Sequence, residues 1–108
     1  MSQLADAYKK GYDSFKQLGG MEVVGIVEAA IQSEEAKRGF IQGSFDAHTG
    51  NKYGTHLGAD ERATQNLIKK GIPVRANNKG SQYRMLKANE TERGRKIALD
   101  IVLAFVKN

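Results

Sequence analysis

Glycines cut this chain into short amphipathic segments, and that punctuation favours a small, mainly helical domain. Leu4, Tyr8, Tyr12 and Phe15 recur every three or four positions, one face of a helix that Gly19 and Gly20 close. The helical spacing alone accounts for this aromatic stripe, so it is read as packing. Met21 to Glu35 follows as a second helix, with Val23, Val24, Ile26, Val27, Ala30 and Ile31 on a broad apolar face. The pattern breaks between Lys37 and His48, where Gly39-Phe40-Ile41-Gln42-Gly43 is expected to form a short strand or a loop.

A third punctuated region carries more information. Thr49 to Leu57 is expected to form a short helix ended by Gly58, and Asp60 caps the next helix, Glu61 to Lys70, which Gly71 stops. Ile72 to Asn77 alternates apolar and polar residues, and Tyr83 to Leu86 reads as its antiparallel partner. Asn77, Asn78, Lys79 and Gly80 tolerate positive φ, so the pair makes a hairpin with a basic tip, and Pro73 marks an edge strand. A last helix starts at Asn89 with Glu92 as its capping-box partner and runs to about Lys107. Ile97, Ala98, Ile101, Val102 and Phe105 form one of its faces, while Leu99, Leu103 and Val106 add apolar surface outside it. Such a helix needs cover on more than one side, from the first helix or from a second copy of the chain.

With 108 residues the chain has enough length for one domain with a modest core. It has no cysteine, which excludes a disulfide framework, a thiolate zinc site and a cysteine nucleophile. Lys9, Lys10 and Lys16 break up the N-terminal segment, so no signal peptide is expected there. The apolar-rich run Ile97 to Val106 is interrupted by Asp100 and is too short for a bilayer. A cytoplasmic protein without cofactors follows as the expectation.

Charge is distributed unevenly. Residues 1–48 carry five Lys/Arg and seven Asp/Glu, whereas residues 49–89 carry eight and two. Between Arg62 and Lys87 there are seven basic residues and no acidic one. A solvated face explains many such runs. A stretch free of carboxylates is also what a phosphate-tracking surface requires, because each neutralised phosphate releases counterions.

The segment Thr49 to Ile68 resembles the helix-turn-helix signature of bacterial and phage regulators. Its continuation, Lys69-Lys70-Gly71-Ile72-Pro73-Val74 and then Lys79-Gly80-Ser81-Gln82-Tyr83-Arg84-Met85-Leu86, is similar to the wing of small phage-type winged-helix proteins. The resemblance covers residues 49–87. It implies a winged helix-turn-helix core over residues 21–108, with residues 1–20 as a helical extension. In that register Gly54 is a small residue where two helices cross, and Gly58 supplies positive φ in the turn. Leu57, Leu67 and Ile68 seat the second helix on the core. Thr64 stands where Val or Ile is usual and brings a hydroxyl that needs a partner; Tyr53 is bulkier than the usual residue.

With Asp60 as cap, the outward positions of the helix are Glu61, Arg62, Gln65, Asn66 and Lys69. Arg reads guanine and Asn or Gln reads adenine in the major groove. Glu61 is better explained by the positive helix N-terminus than by a base contact. Arg75, Lys79 and Arg84 on the hairpin would hold phosphates. The implied function is sequence-specific binding of double-stranded DNA in transcription regulation, with a homodimer formed through the last helix.

Rival functions find less support. His48 and His56 are the only histidines, and no third ligand stands at a metal-site spacing. No nucleophile–base order or phosphate loop is present, so no enzyme is expected. RNA finds no aromatic stacking platform beside the basic residues except Tyr83. A protein-binding module, such as a phage-type inhibitor of a host factor on the same scaffold, is the stronger rival. Its contacts would lie in residues 1–48 and 97–106.

Overall fold

A computed structural model describes residues 2–71 and 92–105. These form five helices: α1 Gln3–Leu18, α2 Met21–Ala30, α3 Glu34–Thr49, α4 Glu61–Gly71 and α5 Glu92–Ala104. The protein is mainly helical, with no strand among the described residues. The hairpin expected over residues 72–86, and with it Arg75, Lys79 and Arg84, lies outside them, as do Asn89 and Val106. No described helix is long and apolar enough to cross a membrane.

Local chemistry sets the ends of α1. Ser2 accepts a hydrogen bond from the Ala5 amide at 3.1 Å, and Gly19 closes the helix in the left-handed region with φ +97°. The expected second helix is shorter than its apolar pattern suggests. It stops at Ala30, Ile31 is extended, and Ser33 starts a new helix by accepting from the Ala36 amide at 3.2 Å. Ser33 also donates to Gln3 at 2.5 Å, which ties this break to the start of α1.

The segment Gly39–Gly43 is neither strand nor loop; it lies in the middle of α3. A Cβ at Gly39 would run into the Leu4 carbonyl, and one at Gly43 into the Tyr8 carbonyl. On the other helix, a Cβ at Gly11 would stand 2.6 Å from the Phe40 carbonyl oxygen. The glycines therefore let α1 and α3 touch backbone to backbone, a close approach that outweighs their poor helix propensity of about 1 kcal/mol each. Consequently residues 1–20 are no appendage: Ala7, Tyr8 and Leu18 are buried in the core.

The rest of that core comes from Val23, Val24, Val27 and Ile31, from Phe40 and Ile41, and from Leu67, Ala98, Ile101 and Phe105. The α5 helix lies against α1 and α2, and α4 lies against α3. As the pattern of α5 predicts, Ala98, Ile101 and Phe105 face inward, whereas Leu99 and Leu103 are 55% and 61% exposed.

Candidate nucleic-acid interface

Residues 50–60 do not form the expected helix Thr49–Leu57. Gly50, Gly54 and Gly58, four residues apart, adopt φ of +79°, +97° and +89°, and each interrupts any helical run. Along this stretch Thr55, Leu57 and Ala59 donate their amides three residues back, to Lys52, Gly54 and His56. The segment is a chain of turns linking α3 to α4, far longer than the tight turn of a helix-turn-helix. The positive φ expected of Gly58 is present. Gly54 owes its place to its own positive φ, since nothing lies within 4 Å of where its Cβ would be.

Two buried polar side chains of α3, one turn apart, hold this connection. Asp46 is fully buried and accepts four hydrogen bonds. Its Oδ2 receives the Tyr8 hydroxyl at 2.6 Å and the His56 amide at 2.8 Å. Its Oδ1 receives the Asn51 side-chain amide at 3.0 Å and meets His56 Nδ1 at 2.5 Å. The Tyr8 hydroxyl in turn accepts from the Gly54 amide at 2.7 Å. Burial alone would raise the Asp46 carboxyl, but the donors from Asn51, Tyr8 and His56 outweigh it and hold it below the usual carboxylate range. Burial and then the Asp46 contact push the Tyr8 hydroxyl well above its ordinary value. The node is thus a carboxylate fed by a neutral phenol.

Gln42 secures the second half. Its Nε2 donates to the Ala59 carbonyl at 3.0 Å and to the Thr64 hydroxyl at 2.8 Å, and its Oε1 accepts from the Gly58 amide at 3.1 Å. The Thr64 hydroxyl in turn donates to the Asp60 carbonyl at 3.0 Å. The hydroxyl that the sequence left needing a partner has found two. Asp60 caps α4 as expected, accepting from the Ala63 amide at 2.8 Å.

Held in this way, α4 buries Thr64 and Leu67 and half-buries Ile68, while Glu61, Arg62, Gln65, Asn66, Lys69 and Lys70 are exposed. Arg62, Gln65, Asn66 and Lys69 follow the i, i+3, i+4, i+7 spacing of a single helical face. Among the described residues none of the three cations Arg62, Lys69 and Lys70 pairs with a carboxylate. Glu61 in the first turn and Lys69 and Lys70 in the last also match the helix dipole.

Of the histidines, His48 is exposed against Phe15, with ring centroids 5.6 Å apart, and His56 is the half-buried partner of Asp46. No group of three or more His, Cys, Asp or Glu that could hold a metal occurs among the described residues.

Gln42 and Asp46 were missed by sequence reasoning, although a signal existed: two polar residues four apart on a segment that also carries Phe40, Ile41 and Phe45. Also missed was an aromatic cluster. Tyr53 packs against Tyr8 and Tyr12 with both centroids 5.0 Å away, and the residue is half exposed. The chain matches no protein-family model, no curated protein and no solved structure.

Proposed function

We propose that the chain is a sequence-specific double-stranded DNA-binding protein, a non-enzymatic regulator of phage or bacterial type, that lays α4 in the major groove. The observation that carries this reading is the exposed row Arg62, Gln65, Asn66 and Lys69 on one face of α4. Eleven residues make α4 about 16 Å long, and a helix of this kind fits a groove about 12 Å wide. Gln42, Asp60 and Thr64 fix the start of the helix, so little ordering remains to be done on binding. Arg62 would read guanine, Gln65 and Asn66 adenine, while Lys69 neutralises phosphate. In the same reading Arg75, Lys79 and Arg84 of the expected wing would meet the DNA backbone.

Replacing Arg62 and Asn66 together by Ala is expected to abolish sequence discrimination on a site selected from random duplexes, leaving weak, salt-sensitive binding. Unchanged protection of the selected site in footprinting would refute the assignment of α4.

Leu99 and Leu103 favour a second reading, in which α5 meets a protein. The partner would be a second copy of the chain, which would set two α4 helices on a two-fold DNA site, or a host factor that the protein inhibits. Sedimentation separates these: a monomer at high concentration removes the homodimer.

A further inference from the structure

The tyrosine cluster shares no residue with the outer face of α4 and has a chemistry of its own. Tyr53 belongs to the turn-rich connection, and the residue is 50% exposed. An exposed tyrosine ordinarily samples several rotamers, but two neighbours restrain this one. Tyr8 and Tyr12 stack at 6.1 Å with planes 14° apart, and Tyr53 stands nearly perpendicular to both, at 83° and 73°. The same two tyrosines fix the backbone on either side of it. Tyr12 donates its hydroxyl proton to the Asn51 carbonyl at 2.8 Å, and the Tyr8 hydroxyl accepts from the Gly54 amide at 2.7 Å.

Two lysines belong to the same region. Lys52 precedes Tyr53, is exposed, and pairs with no carboxylate among the described residues. Lys9 on α1 is exposed and within electrostatic reach of Tyr53, while bonded to Asp13 at 2.9 Å. A restrained, half-exposed tyrosine in a region that carries lysines is a surface on which an unpaired base can stack while phosphates meet the cations.

We propose that Tyr53 is a stacking platform for an unpaired nucleobase of a single-stranded nucleic acid, with Lys52 and Lys9 receiving the flanking phosphates. The site uses none of the α4 row and does not depend on duplex reading by it. Deoxyribose and ribose strands share the chemistry, because every base offers a π-face.

The chain contains no tryptophan, so Tyr53→Trp gives the protein a single fluorescent reporter at the platform. Titration with eight-nucleotide oligodeoxyuridylate and, separately, oligouridylate, which differ in the sugar alone, is expected at low salt to quench that emission. Fluorescence anisotropy of labelled oligonucleotides should show Tyr53→Phe binding like the natural protein. Tyr53→Leu, which keeps apolar bulk in the cluster, should bind about 5- to 150-fold more weakly, the range that stacking of one base spans. The Arg62→Ala, Asn66→Ala double variant should bind both oligonucleotides within about twofold of the natural protein, so failure of the duplex reading leaves this one measurable. A stronger response to one oligonucleotide identifies the sugar. Absence of binding to both, Tyr53→Leu binding within twofold of the natural protein, or binding without quenching in Tyr53→Trp would each overturn the proposal.

Discussion

Replacing Asp46 by asparagine keeps the shape of the buried node but removes its charge and one of its two acceptor atoms. In the natural protein Oδ2 serves the Tyr8 hydroxyl and the His56 amide, and Oδ1 serves Asn51 and the His56 ring. An asparagine oxygen satisfies one of these pairs and turns an NH2 group toward the other. Hydrogen bonds to a charged partner contribute about 1.5–3 kcal/mol each. Two are lost outright and two become neutral, but Asn51 can turn toward water and His56 can change tautomer. The expected net loss is therefore about 2–4 kcal/mol, a large share of a typical total of about 5–15 kcal/mol. Urea unfolding followed by far-UV circular dichroism at pH 7 should show a lower midpoint with an unchanged slope. The pH dependence supplies a second check. The folded carboxyl sits below its ordinary value, so its contribution is present above the unfolded pKa of about 3.9 and is lost as pH falls through the lower folded value. Asp46→Asn has no such group, and the gap between the two proteins should narrow on acidification below about pH 4. A gap under about 0.5 kcal/mol at pH 7, or one that stays constant into acid, would refute this account of the node.

Two further perturbations test the packing. Gly39→Ala sets a methyl against the Leu4 backbone carbonyl, which no rotamer change relieves; thermal unfolding should show a loss of about 2 kcal/mol or more despite the better helix propensity. Thr64→Val preserves the β-branch but takes away the acceptor of Gln42 Nε2 and should cost about 1–2 kcal/mol, whereas Thr64→Ser stays near the natural protein in denaturant titration.

Features governed by neighbouring residues were legible in the sequence. The face of α1 with its glycine stop, the cap at Asp60 and the turn at Gly58 all follow from chemistry within a few positions. The inward face of α5 was legible for a similar reason, since Ala98, Ile101 and Phe105 keep helical spacing. What escaped was set by distant partners. Gly39 and Gly43 look locally like breakers, and only the backbone of α1, more than thirty residues earlier, makes them suitable for a helix. Likewise, residues 50–57 carry enough helix-compatible side chains to suggest a helix. Three left-handed glycines and the pull of Tyr8, Gln42 and Asp46 on the connecting amides win instead. The exposed row on α4 was anticipated because a single cap fixed its phase; the arrangement that holds it in place was not.

The glycine contact between α1 and α3 also imposes an order of dependence on the whole molecule. With two glycines in its middle, α3 has weak helicity of its own, so it forms by co-folding with α1. Gln42 and Asp46 meet their partners only when α3 is wound, and the approach to α4 is set by those partners. A chain shortened to begin at Gly20 would thus forfeit more than one helix. Its α4 residues would all be present in the sequence, yet they would lack the framework that presents them, and the first eighteen residues act as an intramolecular template for a surface formed some forty residues later.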